Sequence, residues 1–137
     1  HAQSDTGMHD YFNKLFTSGE LNKVISLVRK EPALLRHFPD MMQDDDTPLG
    51  AKIGMSAVFE ELQGHASLQA LIPALAKLLE SKNASIRNDA CYYLGLTESQ
   101  EAIPYIQMLV DDETEEVRET ITDAMSIIDG AAINRGP

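Results

Sequence analysis

A chain of 137 residues, 43% apolar and 24% charged, has ordinary globular composition, which excludes wholesale disorder and collagen-like or coiled-coil organisation. That length holds one domain or one array of small repeats. Twenty-two acids against eleven bases give a formal charge of −11, which repels phosphate backbones and anionic head groups, so neither nucleic acid nor a membrane surface is expected as a partner.

Residues 1–7, HAQSDTG, precede Met8 and lack a charged region followed by an apolar segment. They are expected to be a cloning remnant or flexible N-terminus, in preference to the new end left by signal-peptide cleavage. Nowhere does an apolar run approach the roughly 18 residues needed to span a bilayer. The lone cysteine, Cys91, cannot form an internal disulfide. A cytoplasmic location is the default expectation.

From Asp5 to Phe16, the residues Met8, Tyr11, Phe12, Leu15 and Phe16 recur at helical spacing. Thr17, Ser18 and Gly19 then separate this segment from a second helix carrying Leu21, Val24, Ile25, Leu27 and Val28. Pro32 to Phe38 is a short candidate helix, and MMQDDDTPLGAKIGMSAVFEEL follows at 41–62. Sliding the chain by 31 residues lays 67–97 on 98–128, with Ile72 on Ile103, Pro73 on Pro104, Leu75 on Ile106, Leu78 on Leu109, Ile86 on Val117 and Arg87 on Arg118. Within each unit the apolar positions have helical spacing, as in Ile72, Leu75, Leu78, Leu79 and then Ile86, Ala90, Tyr93, Leu94, so each unit reads as a helical hairpin. Asn83 and Thr114 are placed to cap the second helices. The first helix begins either at Pro73 and Pro104 or a turn earlier, near Ser67 and Ser99, with a bend at the proline. A pair of amphipathic helices cannot bury its own apolar stripe, whereas stacked pairs share one core.

The segment 41–62 reads as a worn third copy. Met41 and Met42 stand for the Leu pair, Asp44 and Asp46 for turn acids, Leu49 for the Val, and Ile53 and Ala57 for core positions, an offset of 37 from Leu49 to Ile86. Residues 129–137, DGAAINRGP, lack apolar periodicity and are expected to be a flexible tail.

LIPALAKLLESKNASIRNDACYYLG resembles the HEAT-repeat pattern, particularly the short bacterial type found in phycobilisome lyases, with RNDACYYLG at 87–95 as the nearest match. The resemblance implies an all-α, right-handed α-solenoid of stacked antiparallel helix pairs, about 6–8 helices, over residues 8–128. It also implies an inter-repeat polar ladder from the turn acid and the helix arginine, here Arg87, Asp112 and Arg118. Ser81 stands where the earlier unit should carry its acid, and Ser126 and Ile127 replace the Leu-Gly close of the later one.

Catalysis needs convergent polar groups, and the chain shows no glycine-rich phosphate loop, GxSxG, HExxH or CxxC. Cys91 has no nearby histidine in sequence and reads as a structural thiol. His9, His37 and His65 lack metal-ligand spacing and are expected at the surface or at helix ends, while Asp44, Asp45 and Asp46 lack the alternation and terminal Glu of a calcium loop and read as a cap-forming turn. No His-Glu dipeptide is present for a di-iron site of the kind some HEAT-like proteins carry. No enzyme activity, cofactor or metal is therefore expected.

What remains is a surface. HEAT-like arrays bind partners with the concave face lined by their second helices, which here would present Asn88, Asp89, Tyr92 and Gly95, then Glu119, Thr120 and Asp123. Tyr92 either anchors a partner or packs with Tyr93 between repeats. Residues 98–128 hold nine acids and one base against two acids and three bases in 67–97. That imbalance serves either as a solubilising cap or as a dock for a basic protein. The expected function is a non-catalytic protein-interaction module or adaptor, monomeric or weakly dimeric. The alternatives are an acidic inhibitor or immunity-type protein for a basic enzyme, or a bilin-lyase-like tetrapyrrole chaperone.

Overall fold

In the computed structural model residues 5–135 are described, and their regular structure is all helical, with nine α-helices, two 3-10 helices and no strand. The chain divides into two compact units, residues 1–61 and 62–137.

In the first unit α1 (Asp5–Thr17), α2 (Leu21–Lys30), a 3-10 turn (Pro32–Arg36), α3 (His37–Gln43) and α4 (Leu49–Glu61) follow one another. Helix α1 stops at Gly19, whose φ of 75° a side chain would resist. The Gly19 and Glu20 N–H groups return to the carbonyls of Phe16 and Leu15 at 3.3 and 2.9 Å, a Schellman closure. Phe12, Phe38 and Phe59 fill the middle of the core, with edge-to-face contacts at centroid distances of 5.3 Å (Phe12–Phe38) and 5.7 Å (Phe38–Phe59).

Asp5, Thr6 and Gly7, expected within a cloning remnant or flexible N-terminus, form the first turn of α1, while residues 1–4 lie outside the described residues. One expectation fails here. Leu49 and Ile53, assigned to the core as a worn repeat, are 73% and 62% exposed, and the buried face of α4 is Ala51, Met55, Val58 and Phe59. The reason is steric. A Cβ on Gly54 would lie 2.2 Å from the Phe16 ring, so α4 meets α1 through its smallest residues and turns its larger ones at 49 and 53 outward.

The second unit contains α5 (Ala66–Gln69), α6 (Ile72–Leu78), α7 (Ala84–Leu96), a 3-10 turn (Gln100–Ala102), α8 (Ile103–Gln107) and α9 (Glu115–Asn134). Helices α6 and α8 start 31 residues apart, as do α7 and α9, so the repeat seen in the sequence is a repeat of elements. Each first helix is split: a short turn ends before Leu71 in one and at Ala102 in the other, and the chain restarts with Pro73 or Pro104 within the first two residues of α6 or α8, where a missing N–H costs nothing. Leu75 and Ile106 are both fully buried. Ile72 and Val117 are buried, whereas their counterparts Ile103 and Ile86 are half-buried, and Val110 is 61% exposed where Leu79 is buried.

Helix α7 packs along α9 more extensively than any other pair of elements. Gly95 lies at their crossing, where an added Cβ would come within 2.7 Å of the Ala124 Cα. Gly95 therefore does not look outward. Helix α9 also runs on through residues expected to form a tail, as far as Asn134. Ile128 and Ala131 are buried on its inner face, and Gly130, at about 1 kcal/mol against alanine, is too small a penalty to end it. Asn83 caps α7 by accepting the Ser85 N–H at 2.9 Å, but Thr114 makes no side-chain cap to α9.

Two glycines of these helices predict opposite outcomes in denaturant unfolding. Gly95→Val should destabilise by at least about 2 kcal/mol, because the obstacle is backbone. Gly130→Ala, with open space around its Cβ, should stabilise by up to about 1 kcal/mol.

In the first unit His37 stands at a helix end, as the first residue of α3, but its ring is 2% exposed and not at the surface. Its Nδ1 lies 3.3 Å from His9 Nε2 and 4.0 Å from Asp5 Oδ1, and its buried Nε2 has no hydrogen-bond partner. Burial lowers its pKa below the ordinary imidazole value, assisted by Arg36 and His9 and opposed by Asp5 and Asp40. The unfolded chain then binds the proton more readily, so the stability this ring contributes is present above about pH 6.5 and lost as pH falls below it. The thermal midpoint should drop between pH 7 and 5.5, and His37→Phe should flatten that slope. An unchanged slope would show that His37 does not cause it.

Candidate functional site

The turn between α8 and α9 brings Asp112 against Arg87 at the start of α7. Arg87 Nε and Nη2 donate to the two carboxylate oxygens of Asp112 at 2.8 and 3.2 Å. Nη1 donates to the Ser81 carbonyl at 2.9 Å, and Nη2 also reaches Thr114 Oγ1 at 3.3 Å. Both side chains are more than nine-tenths buried, so solvent screens this pair far less than the exposed pair Arg29–Glu61, 3.3 Å apart. The two-point bond to Asp112 raises the Arg87 pKa further. It also holds the Asp112 carboxyl below the usual carboxylate range, helped by the Thr114 N–H at 2.9 Å. Arg118 donates to the backbone carbonyl of Asp112 from the other side. The arginine of one repeat thus pairs with the turn acid of the next. That is why Ser81 can replace the earlier acid: Arg87 needs only its carbonyl.

Asn88, expected on an open face, ties α7 to α9 instead. Its Nδ2 donates to Glu116 Oε1 at 3.1 Å and its Oδ1 accepts the Thr120 hydroxyl at 2.5 Å. Asp89 is exposed and Tyr92 half-exposed, one turn apart on α7. The Tyr92 ring lies 5.7 Å from that of buried Tyr93. On α9 Glu119 and Asp123 are exposed, again a turn apart. By the 31-residue equivalence Glu119 occupies the place from which Asn88 reaches its neighbour, and Asp123 the place of Tyr92.

A family model for HEAT repeats matches residues 55–130, more than half of the chain. The chain belongs to the HEAT-repeat family. Searches among curated proteins and among solved structures find no match.

Other candidates for chemistry within this HEAT chain are quiet. Cys91 is fully buried in α7, and desolvation pushes its thiol up to about 12, which keeps it protonated at neutral pH. His65 stands at a helix end, accepting the Ser67 N–H at 3.2 Å. Asp44 Oδ1 accepts the Asp46 N–H at 2.9 Å in an Asx turn. Among the described residues no group of three or more His, Cys, Asp or Glu could hold a metal ion. Sequence reasoning missed the roles of Thr114 and Asn88. Their only sequence signal is position: Thr114 two residues past the ladder acid, and Asn88 one past the ladder arginine.

Removing Asp112 strands a buried guanidinium, so Asp112→Ala should cost about 3 kcal/mol in urea unfolding, far more than Glu61→Ala. Because the folded pKa of Asp112 is depressed, its contribution is complete above the unfolded value near about 3.9 and disappears as pH falls through the folded value. The difference between wild type and variant should therefore shrink only below about pH 4. A constant difference would mean that packing, not the ion pair, carries it.

Proposed function

We propose that this chain is a protein-protein interaction module, non-catalytic and cytoplasmic, which docks its partner on the face formed by the second helices. Membership of the HEAT-repeat family supports the general reading, since HEAT repeats generally mediate protein-protein interaction. Among the described residues no helix is long and apolar enough to cross a membrane.

The half-exposed Tyr92 supports the finer reading. It combines a rigid apolar body with a polar tip beside exposed Asp89, the make-up of an interface anchor. Glu119 and Asp123 extend the same line of helices with negative charge, and electrostatic complementarity there speeds association with a basic partner. Asn88 belongs to the support of this face, since its side chain is committed to Glu116 and Thr120.

Affinity capture from extracts of the source cell, with the intact chain and an Asp89→Ala/Tyr92→Ala chain as parallel baits, tests the reading. Recovery of the specific partner should fall at least tenfold with the variant while circular dichroism stays unchanged. Equal recovery by both baits would place the docking face elsewhere.

A further inference from the structure

The first helices of the two repeats leave a groove that the second-helix face does not use. Pro73, Ala76 and Leu79 on one side and Tyr105, Met108 and Leu109 on the other enclose about 500 Å³ between α6 and α8. A second hollow of about 360 Å³, reaching Gln69 and Glu101, adjoins it at Pro73 and Tyr105. Each volume lies in the range of pockets that accept ligands. Met108 is 74% exposed and Tyr105 37%, apolar surface at the groove that a folded chain does not leave in water without cost, and Val110, two residues after Met108, is 61% exposed.

Charge identifies the occupant. Glu80 and Glu101 line the groove against one base, Lys77, and exposed Asp111 and Glu113 follow directly after Val110. A second copy of this chain would bring the same acids against themselves in an isologous contact, between molecules of formal charge −11 each. An anionic lipid surface is repelled likewise. We propose that the groove between α6 and α8 docks an amphipathic helix of a partner protein, its apolar stripe on Met108, Tyr105 and Leu79 and flanking Lys or Arg side chains toward Glu80 and Glu101. Helix α6 has seven residues, roughly 10 Å, which matches two turns of such a helix and two or three apolar anchors at i, i+3 or i+4, and i+7. The exposed methionine suits the role, because an unbranched thioether adapts to differently shaped anchors. This surface is separate from the second-helix face, so either can fail without the other.

The test is a displayed library of random 16-residue peptides selected on the intact chain, followed by amide chemical-shift mapping of the enriched peptides. Enriched sequences should carry apolar residues at helical spacing with an excess of Lys and Arg, and should perturb residues 69–80 and 101–110. Met108→Glu, at a site too exposed to disturb folding, should weaken them at least tenfold, and Glu80→Lys/Glu101→Lys should do the same while making binding less sensitive to added salt. No enrichment, enrichment of acidic or uncharged peptides, or a footprint on Asp89 and Tyr92 would overturn the proposal. So would sedimentation showing a dimer of the wild-type chain that Met108→Glu dissociates, since the occupant would then be a second copy.

Discussion

A helix pair has an apolar stripe on more than one side and only one partner helix to cover it, so a single pair is left with a wet flank. In residues 62–137 the flank of the first repeat is closed by α9 lying along α7. Several features of that unit accompany the closeness of this contact. It needs a glycine at 95 opposite an alanine at 124, it buries Cys91 and Leu94, and it carries Asn88 and Arg87 to partners in the next repeat.

Polar ties at the edge of the contact match its register. The close fit of Gly95 on Ala124 admits one alignment, and the two-point Arg87–Asp112 pair and the Asn88–Thr120–Glu116 bonds are satisfied at that same alignment. The ladder is made across the stacked α7 and α9, whose starts lie 31 residues apart. The last repeat, by contrast, has no following helix among the described residues, so Ile121 and Met125 stay half-exposed where Ala90 and Leu94 are buried. The acids Glu119 and Asp123 keep that end wetted, as terminal repeats require.

Much of this was legible in the sequence, because the features concerned have a period. Leu75 with Ile106, Pro73 with Pro104, and Arg87 with Arg118 align at the 31-residue period, and the family resemblance implied the ladder of Arg87, Asp112 and Arg118. The features that escaped carry no hydrophobic signal. Gly54 and Gly95 let two helices approach closely by having no side chain, so aligning 41–62 as a worn repeat put Leu49 and Ile53 inside, and helical phase alone put Gly95 outside. The extension of α9 past Asp129 rests on tertiary cover for Ala131, which local composition does not reveal. The His9–His37 pair joins residues 28 apart with no spacing rule between them. Of the candidate face, exposure at Asp89, Glu119 and Asp123 followed from helical phase, but the commitment of Asn88 depended on what α9 placed opposite it.

Native-state hydrogen exchange in low denaturant tests most directly whether one shared core holds the two repeats. If α7 and α9 depend on each other for cover, the slowest amides of residues 90–95 and 121–128 open together, with one free energy and one denaturant slope. Amides of α9 that open several kcal/mol below those of α7, with a shallow slope of their own, would mean that each helix pair is stable alone.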